Sequence, residues 1–273
     1  MNIINAIILG IVQGLTEFLP VSSSGHLVLL QKIFKIGEPS LFFDTMLHVG
    51  TLIAVMTVLW KDIFEILKKP IQKLTGFLIL ATIPAVIAAL LFKDAIEEIF
   101  TSGKFLGVCF LITATLLVAA EFLSKHNKNA NSAGEGQNGN GVKMTWLHAL
   151  FIGVMQALAI PPGISRSGAT ISGSLFCKLD RDFAARFSFL MSIPAILGAV
   201  VMQTKDLVKH SAADSSSFGT LAIIAGTVTS AVVGFFAVKF MLKIIREKSL
   251  FGFAIYTGVL GVVVLILQNT INF

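Results

Sequence analysis

The stretch "GLTEFLPVSSSGHLVLL", residues 14–30, places an acid, three adjacent hydroxyls and an imidazole inside apolar sequence. Its flanks have the apolar character of membrane-spanning helices. In its centre, Pro, Gly and Ser interrupt the pattern of one continuous helix. The stretch therefore predicts a helix that enters the membrane, turns within it and leaves by the same face.

The composition predicts a membrane setting for the whole chain. Of its 273 residues, 55% are hydrophobic and 13% are charged, and the mean hydropathy is +0.86. Soluble domains carry about 25% charged residues. The apolar runs do not alternate with polar residues, as the strands of a membrane β-barrel would. We therefore expect an all-α integral membrane protein, and no nucleic acid as a partner despite the net charge of +6.

Six apolar runs approach the roughly 20 residues that cross a bilayer as helix. The expected membrane-spanning helices are 41–60, 74–92, 105–124, 187–203, 219–238 and 249–268. Two further apolar segments, 3–35 and 145–178, are broken in the middle and predict re-entrant helix–loop–helix units. Most of the 21 Lys and Arg residues fall in loops on one side of this layout. That side is expected to be cytoplasmic, which places both termini outside.

The second broken segment repeats the first. "GIVQGLTEFLPVSSSG" (10–25) aligns without a gap to "GVMQALAIPPGISRSG" (153–168). Three spanning helices separate the two copies, so the second copy is inverted and the two tips meet near mid-membrane. Duplication for packing alone is the alternative. The expected organisation is one membrane domain, 1–273, with a first repeat at about 1–124, a flexible cytoplasmic linker at 125–143 and a second repeat at about 144–273.

The two copies differ in their polar side chains. The first has Glu17 and His26 where the second has apolar residues, and the second has Arg166 at the position of Ser23. Charged groups at membrane depth are rare unless they are functional or paired, because their insertion is unfavourable. We therefore expect Glu17, Ser23, His26 and Arg166 to converge where the tips meet. The alternative is a Glu17–Arg166 ion pair that only joins the two halves.

Hydroxyls and glycines just before the second helix of each segment predict a phosphate site. The first turn of a helix offers unpaired N–H groups and the positive end of its dipole, which together bind anions. Arg166 can hold phosphate oxygens through two parallel donors. The expected phosphate-binding residues are Gln13, Ser22, Ser24, Gly25, Ser165, Ser167, Gly168 and Thr170.

The role of Glu17 stays open at this point. A carboxylate beside phosphates repels them unless it binds a divalent cation or acts as a general base. Ser23, His26 and a water molecule are the candidate nucleophiles, and His26 is also a candidate proton shuttle. Asp44 and His48, spaced i, i+4 at the start of a span, are expected to bond to each other rather than to take part in the chemistry.

"QGLTEFLPVSSSGHL" (13–27) and "PGISRSGATISG" (162–173) closely resemble the two signature motifs of the undecaprenyl pyrophosphate phosphatase family, the bacitracin-resistance type. The resemblance implies that the catalytic residues are Glu17, Ser23, His26 and Arg166. It also implies that Mg²⁺ or Ca²⁺ assists the release of phosphate from undecaprenyl pyrophosphate, with Glu17 as the metal ligand.

One position weakens the metal expectation. The family's Glu/Gln-x-x-x-Glu pattern has the amide Gln13 at its first position here, which leaves Glu17 as the only carboxylate of the pair. The other membrane phosphatase family, the acid-phosphatase-like type, is excluded by its own motif, because this chain has Ser172 where that motif needs His.

The resemblance further implies a multi-pass protein of the bacterial plasma membrane that recycles the lipid carrier of cell-wall synthesis, with a site open to the outer face. The expected partners are the lipid pyrophosphate, the membrane and a second copy of the chain in a homodimer. The alternative function is a transporter or flippase for the lipid carrier or phosphate, since inverted repeats are common in alternating-access proteins.

Overall fold

The computed structural model describes residues 2–34, 41–132, 143–209 and 219–270. Within these ranges the chain forms twelve α-helices and no β-strand. The helices are α1 (Ile3–Thr16), α2 (Ser23–Ile33), α3 (Leu41–Val58), α4 (Trp60–Lys68), α5 (Lys73–Leu91), α6 (Lys93–Ser102), α7 (Leu106–Ser132), α8 (Trp146–Leu158), α9 (Arg166–Phe176), α10 (Arg181–Lys209), α11 (Thr220–Glu247) and α12 (Phe251–Thr270).

The apolar helices account for the six predicted spans. By length and composition, α5, α7, α10, α11 and α12 can each cross a membrane. Helix α3 makes a sixth candidate together with α4, which follows it at a bend of 77°. Many large apolar side chains on these helices face outward, Leu91 and Phe236 among them. The prediction of an all-α, multi-pass membrane protein is confirmed.

Several helices extend beyond the runs that hydropathy marked. Helix α10 begins at Arg181, before the predicted 187, and α11 continues to Glu247, past the predicted 238. Helix α7 continues through Ser132 into the predicted linker, whose residues 133–142 lie outside the described part of the chain. Hydropathy marks only the apolar part of a helix, whereas backbone hydrogen bonding continues into its polar ends.

Both predicted broken segments are pairs of helices. Residues 17–22, the first break, separate α1 from α2. Residues 159–165, the second break, separate α8 from α9. The second helix of each pair begins at a serine cap: Ser22 Oγ accepts from the Gly25 N–H at 3.3 Å, and Ser165 Oγ accepts from the Gly168 N–H at 3.0 Å. These caps occupy matching positions in the two aligned stretches, so the same local chemistry starts both helices.

Contacts between helices occur in matching pairs. Helix α1 of the first half packs on α11 of the second, and α8, which contains the stretch aligned to α1, packs on α5 of the first half. Both contacts need a glycine, because a Cβ at Gly10 would lie 2.5 Å from the Gly226 oxygen and a Cβ at Gly153 would lie 2.5 Å from the Ala81 oxygen. The largest hydrophobic core includes Phe18 from the first break and Ile171 of α9. The packing therefore brings the two breaks together.

Candidate active site

The two breaks meet through hydrogen bonds between serine side chains of each motif and the backbone of the other. Ser22 Oγ accepts a hydrogen bond from the Gly163 N–H at 3.1 Å, and Ser167 Oγ donates to the Leu19 carbonyl at 2.9 Å. Gly163 has a φ of +96°, a conformation that favours glycine. A Cβ at Gly25 would lie 2.8 Å from the Gly163 Cα. The glycines of the two motifs therefore permit this close approach.

A threonine of α7 holds the second break in place. Thr113 Oγ1 donates to the Gly163 carbonyl at 2.9 Å and accepts from the Ser165 N–H at 2.9 Å. The sequence gives no signal for this residue, because a Thr hydroxyl inside an apolar helix usually bonds to its own helix backbone. The Thr113 hydroxyl has one proton, which it shares between the Gly163 carbonyl and the more distant Cys109 carbonyl of its own helix, at 3.3 Å.

The region where the two breaks contact each other is the junction, and Glu17 lies at its centre. Its buried carboxylate pairs through Oε1 with Nη2 of Arg166 from the other half of the chain. Its Oε2 accepts from Ser23 Oγ at 2.6 Å and from Gln13 Nε2 at 3.0 Å. An acid, a hydroxyl and a guanidinium are thus in direct contact, as the alignment of the two stretches predicted for Glu17, Ser23 and Arg166.

The imidazole beside this carboxylate belongs to His48 of α3. Its Nε2 lies 3.5 Å from Glu17 Oε2, and its Nδ1 donates to the Asp44 backbone carbonyl at 2.7 Å. The Asp44 carboxylate instead accepts from Gln31 Nε2 at 2.7 Å. The expected bond between His48 and Asp44 is therefore present through the Asp44 backbone oxygen, while the His48 ring also lies beside Glu17. An imidazole inside an apolar span was the signal that could have identified this neighbour of Glu17. The expectation that His48 takes no part in the chemistry stays a prediction.

The His26 side chain points away from Glu17 and Arg166. Its Nδ1 lies 2.6 Å from the Ser22 carbonyl oxygen, and its Nε2 lies 2.7 Å from the hydroxyl of Tyr256 on α12. Phe110 packs edge-on against its ring. Among the described residues, these contacts occupy both ring nitrogens, and none of them joins His26 to Glu17 or Arg166. The structure thus brings together three of the four expected catalytic residues.

Most of the expected phosphate-binding hydroxyls build the junction. The buried ones are Ser22, Ser165, Ser167 and Thr170. Each makes hydrogen bonds within the protein; Thr170, for example, donates to the Arg166 carbonyl at 2.9 Å. Gly25 and Gly168 are also buried, and Gln13 bonds to Glu17.

Four side chains at the junction stay accessible to a ligand. Ser23 and Ser24 are partly buried, the Arg166 side chain is 18% exposed and the His48 side chain is 28% exposed. A phosphate that enters the junction therefore meets two hydroxyls, a guanidinium and an imidazole.

The junction does not fit a metal ion that the protein holds by itself. Within the described ranges, no group of three or more His, Cys, Asp and Glu side chains has an arrangement that could hold a metal. Both oxygens of Glu17 already accept hydrogen bonds, and a cation bound to this carboxylate would lie beside the Arg166 guanidinium. The expectation of Mg²⁺ or Ca²⁺ stays a prediction for the complex with substrate.

Comparison with known proteins decides the family. Residues 6–263 match the family described as "Bacitracin resistance protein BacA". The chain belongs to this family. The undecaprenyl-diphosphatase of Carboxydothermus hydrogenoformans is 47% identical to this chain over 268 residues, with 98% of each chain covered. Undecaprenyl-diphosphatase 4 of Bacillus thuringiensis subsp. konkukian is 44% identical over 270 residues, with 99% of each chain covered. The matched range of the family contains both breaks and every residue of the junction.

Proposed function

We propose that this protein hydrolyses undecaprenyl pyrophosphate to undecaprenyl phosphate and inorganic phosphate. The observation that carries the proposal is the environment of Glu17, which contacts Arg166 from the other half of the chain and Ser23 at 2.6 Å. This arrangement combines a base, a nucleophile and an anion-binding cation in one place. Membership of the BacA family and the activity named for its curated relatives support it.

The first chemical step uses the Ser23 hydroxyl. Its oxygen attacks the terminal phosphorus, while Glu17 Oε2 takes the hydroxyl proton across the 2.6 Å contact. The bond from phosphorus to the bridging oxygen breaks, and its electron pair leaves with undecaprenyl phosphate. Arg166 has donors beyond the one that pairs with Glu17, and these stabilise the charge on the transferred phosphoryl group.

The second step releases phosphate. A water molecule attacks the phosphorus of the phosphoserine, and the bond to Ser23 Oγ breaks. The serine oxygen takes its proton back from Glu17, so the net change is the addition of one water. His26 is a weaker candidate nucleophile than Ser23, because both of its ring nitrogens are engaged in hydrogen bonds with protein groups.

The membrane arrangement is part of the proposal. We propose that α1–α2 and α8–α9 are re-entrant units of an inverted repeat, that the junction opens to the outer side of the plasma membrane, and that both termini lie outside. The matched contacts α1 with α11 and α8 with α5 support the repeat. Two broken helices that meet at membrane depth would provide a polar site for the pyrophosphate group inside the bilayer.

The divalent cation is proposed to arrive with the substrate. Mg²⁺ keeps several waters and binds readily to phosphate oxygens, so it needs few protein ligands. EDTA is therefore expected to stop phosphate release, whereas the purified chain without substrate should contain no stoichiometric metal. Full activity in EDTA would contradict a role for the cation.

Phosphate release from undecaprenyl pyrophosphate by the detergent-solubilised protein tests the function. Ser23→Ala and Arg166→Ala should each lower the rate by roughly a hundredfold or more. Arg246→Ala is the matched control, because it removes an arginine from an exposed ion pair with Asp182 outside the junction. Full phosphate release by Ser23→Ala would contradict the mechanism.

The transport alternative predicts a different result. In it, lipid or phosphate still crosses the membrane of sealed vesicles that contain Glu17→Ala protein.

A further inference from the structure

The chain has a single tyrosine, and its hydroxyl contacts the first motif. Tyr256 lies on α12, and its hydroxyl lies 2.7 Å from His26 Nε2. The two rings stack with their centroids 5.7 Å apart and their planes 8° from parallel. Helix α12 belongs to the second half of the chain, so this contact is a further link between the halves, separate from the Glu17–Arg166 pair.

Hydrogen-bond chemistry determines the direction of this contact. A backbone carbonyl can only accept, so His26 Nδ1 carries the proton that is donated to the Ser22 oxygen at 2.6 Å. In the neutral ring, Nε2 is then an acceptor, and the Tyr256 hydroxyl is the donor. Tyr256 thereby holds His26 in one tautomer and occupies the lone pair that a base or nucleophile would use.

His26 in turn supports the residue just before Ser23. Ser22 has a φ of +69°, which is uncommon for a residue other than glycine. Its carbonyl accepts from both the backbone N–H and the ring of His26, at 3.3 and 2.6 Å. Its hydroxyl accepts from Gly163 of the other break. The Ser22 conformation orients the start of α2 and therefore the Ser23 hydroxyl that bonds to Glu17.

We propose that Tyr256 is a positioning residue that acts through His26 to hold the Ser22 backbone, and thereby keeps the Ser23 hydroxyl on Glu17. The proposal rests on the function proposed above, in which Ser23 is the nucleophile. It assigns His26 to the support of the first break rather than to bond formation with phosphorus.

Tyr256→Phe tests the proposal, because it removes only the hydroxyl and keeps the stacked ring. In the full-length protein we expect kcat for undecaprenyl pyrophosphate to fall about threefold to tenfold, as for one lost hydrogen bond, with KM nearly unchanged. In the His26→Ala background the same change should have no further effect, since the two residues act as one unit. If Tyr256→Phe lowers kcat as much in the His26→Ala background as in the wild type, the proposal is overturned.

A spectroscopic measurement tests the contact without turnover. In protein with ¹⁵N-labelled histidine, the His26 Nε2 resonance, assigned by its absence in His26→Ala, should move downfield in Tyr256→Phe as the donor is lost. Thr257→Val is the matched control, because, within the described part of the chain, its hydroxyl bonds to carbonyls of its own helix, those of Phe253 and Ala254. The control should change neither the resonance nor kcat.

The two proposals fail in different ways. An unchanged kcat or an unchanged His26 resonance in Tyr256→Phe, with Ser23→Ala inactive, would overturn the role of Tyr256 and leave the mechanism intact. Full phosphate release by Ser23→Ala would overturn the mechanism and, with it, the positioning role.

Discussion

Glu17 contacts Arg166, Ser23 and Gln13, and these contacts together compensate its buried charge. A buried carboxylate in a membrane protein is unfavourable unless a cation and donors compensate it. Arg166 supplies the cation, while Ser23 and Gln13 supply the donors. The ion pair that could have served only to join the halves thus also places the Arg166 guanidinium and the Ser23 hydroxyl on the same carboxylate, as the proposed mechanism requires.

Arg166 is expected to contribute to stability through its ion pair with Glu17 and to catalysis through its contact with phosphate, and the two contributions can be measured separately. Arg166→Ala leaves Glu17 buried without its cation and should lower the free energy of unfolding by roughly 3–5 kcal/mol. The double variant Glu17→Gln with Arg166→Ala should recover most of the thermal stability in detergent, because the uncompensated charge is gone, but it should release no phosphate. If the double variant is no more stable than Arg166→Ala, the assigned electrostatic role is wrong.

His48 is expected to affect turnover more than binding. Its Nε2 is 3.5 Å from the Glu17 oxygen that accepts from Ser23. His48→Leu removes this polar neighbour and should lower kcat roughly tenfold. His148→Leu on α8, a histidine outside the junction, is the control and should keep the wild-type rate. Equal rates for both variants in the phosphate-release assay would show that His48 has no part in the chemistry.

At the scale of elements, the two breaks depend on backbone geometry as much as on polar side chains. The serine caps start α2 and α9 at matched positions, and glycines allow the breaks to touch. This explains why so many of the motif hydroxyls are buried. They hold the two tips together, and among the described groups of the junction Ser23, Ser24, Arg166 and His48 stay accessible.

Gly163→Ala should disrupt the junction. The new Cβ would lie 2.7 Å from Cys109 Cβ and 2.8 Å from the Leu106 oxygen, at a φ that disfavours any side chain. We expect a loss of about 2 kcal/mol or more in unfolding free energy and a large loss of activity. Gly198→Ala in α10 is the control, because nothing lies within 4 Å of its Cβ. It should be neutral or slightly stabilising in a thermal melt.

At the scale of the whole molecule, each half completes the other. The first half contributes the carboxylate and the hydroxyl, and the second contributes Arg166 and Tyr256. Neither half contains the full set of groups, so the site exists only after α1 packs on α11 and α8 packs on α5. The expected homodimer stays a prediction, because the junction is complete within one chain.

The proposed orientation can be measured by cysteine labelling in cells. In a background with Cys109 and Cys177 replaced, a cysteine at exposed Lys104 should react with a membrane-impermeant reagent in intact cells. A cysteine at exposed Lys69 should react only after the membrane is permeabilised. The reverse pattern would place the junction on the opposite side and contradict an outward-facing site.

Local signals in the sequence were sufficient to predict the membrane-protein class, the helices and part of the site. Hydropathy located the spans because lipid exposure requires apolar side chains along a whole helix. The two Ser–Gly motifs located both breaks, and their alignment paired Glu17 with Arg166 although the two residues lie in opposite halves of the chain. Helix ends were less accurate, since α10 and α11 continue into charged sequence.

By itself, the sequence determined an all-helical membrane protein of the BacA family with a polar junction built from two matched motifs, because composition, caps and motifs are properties of neighbouring residues. Only the tertiary structure decided which imidazole lies beside the acid. His48 reaches Glu17 because α3 carries it there, whereas His26, although it lies within the motif, is turned toward Tyr256. The direction of a side chain depends on which helix packs against it, and a motif does not contain that information.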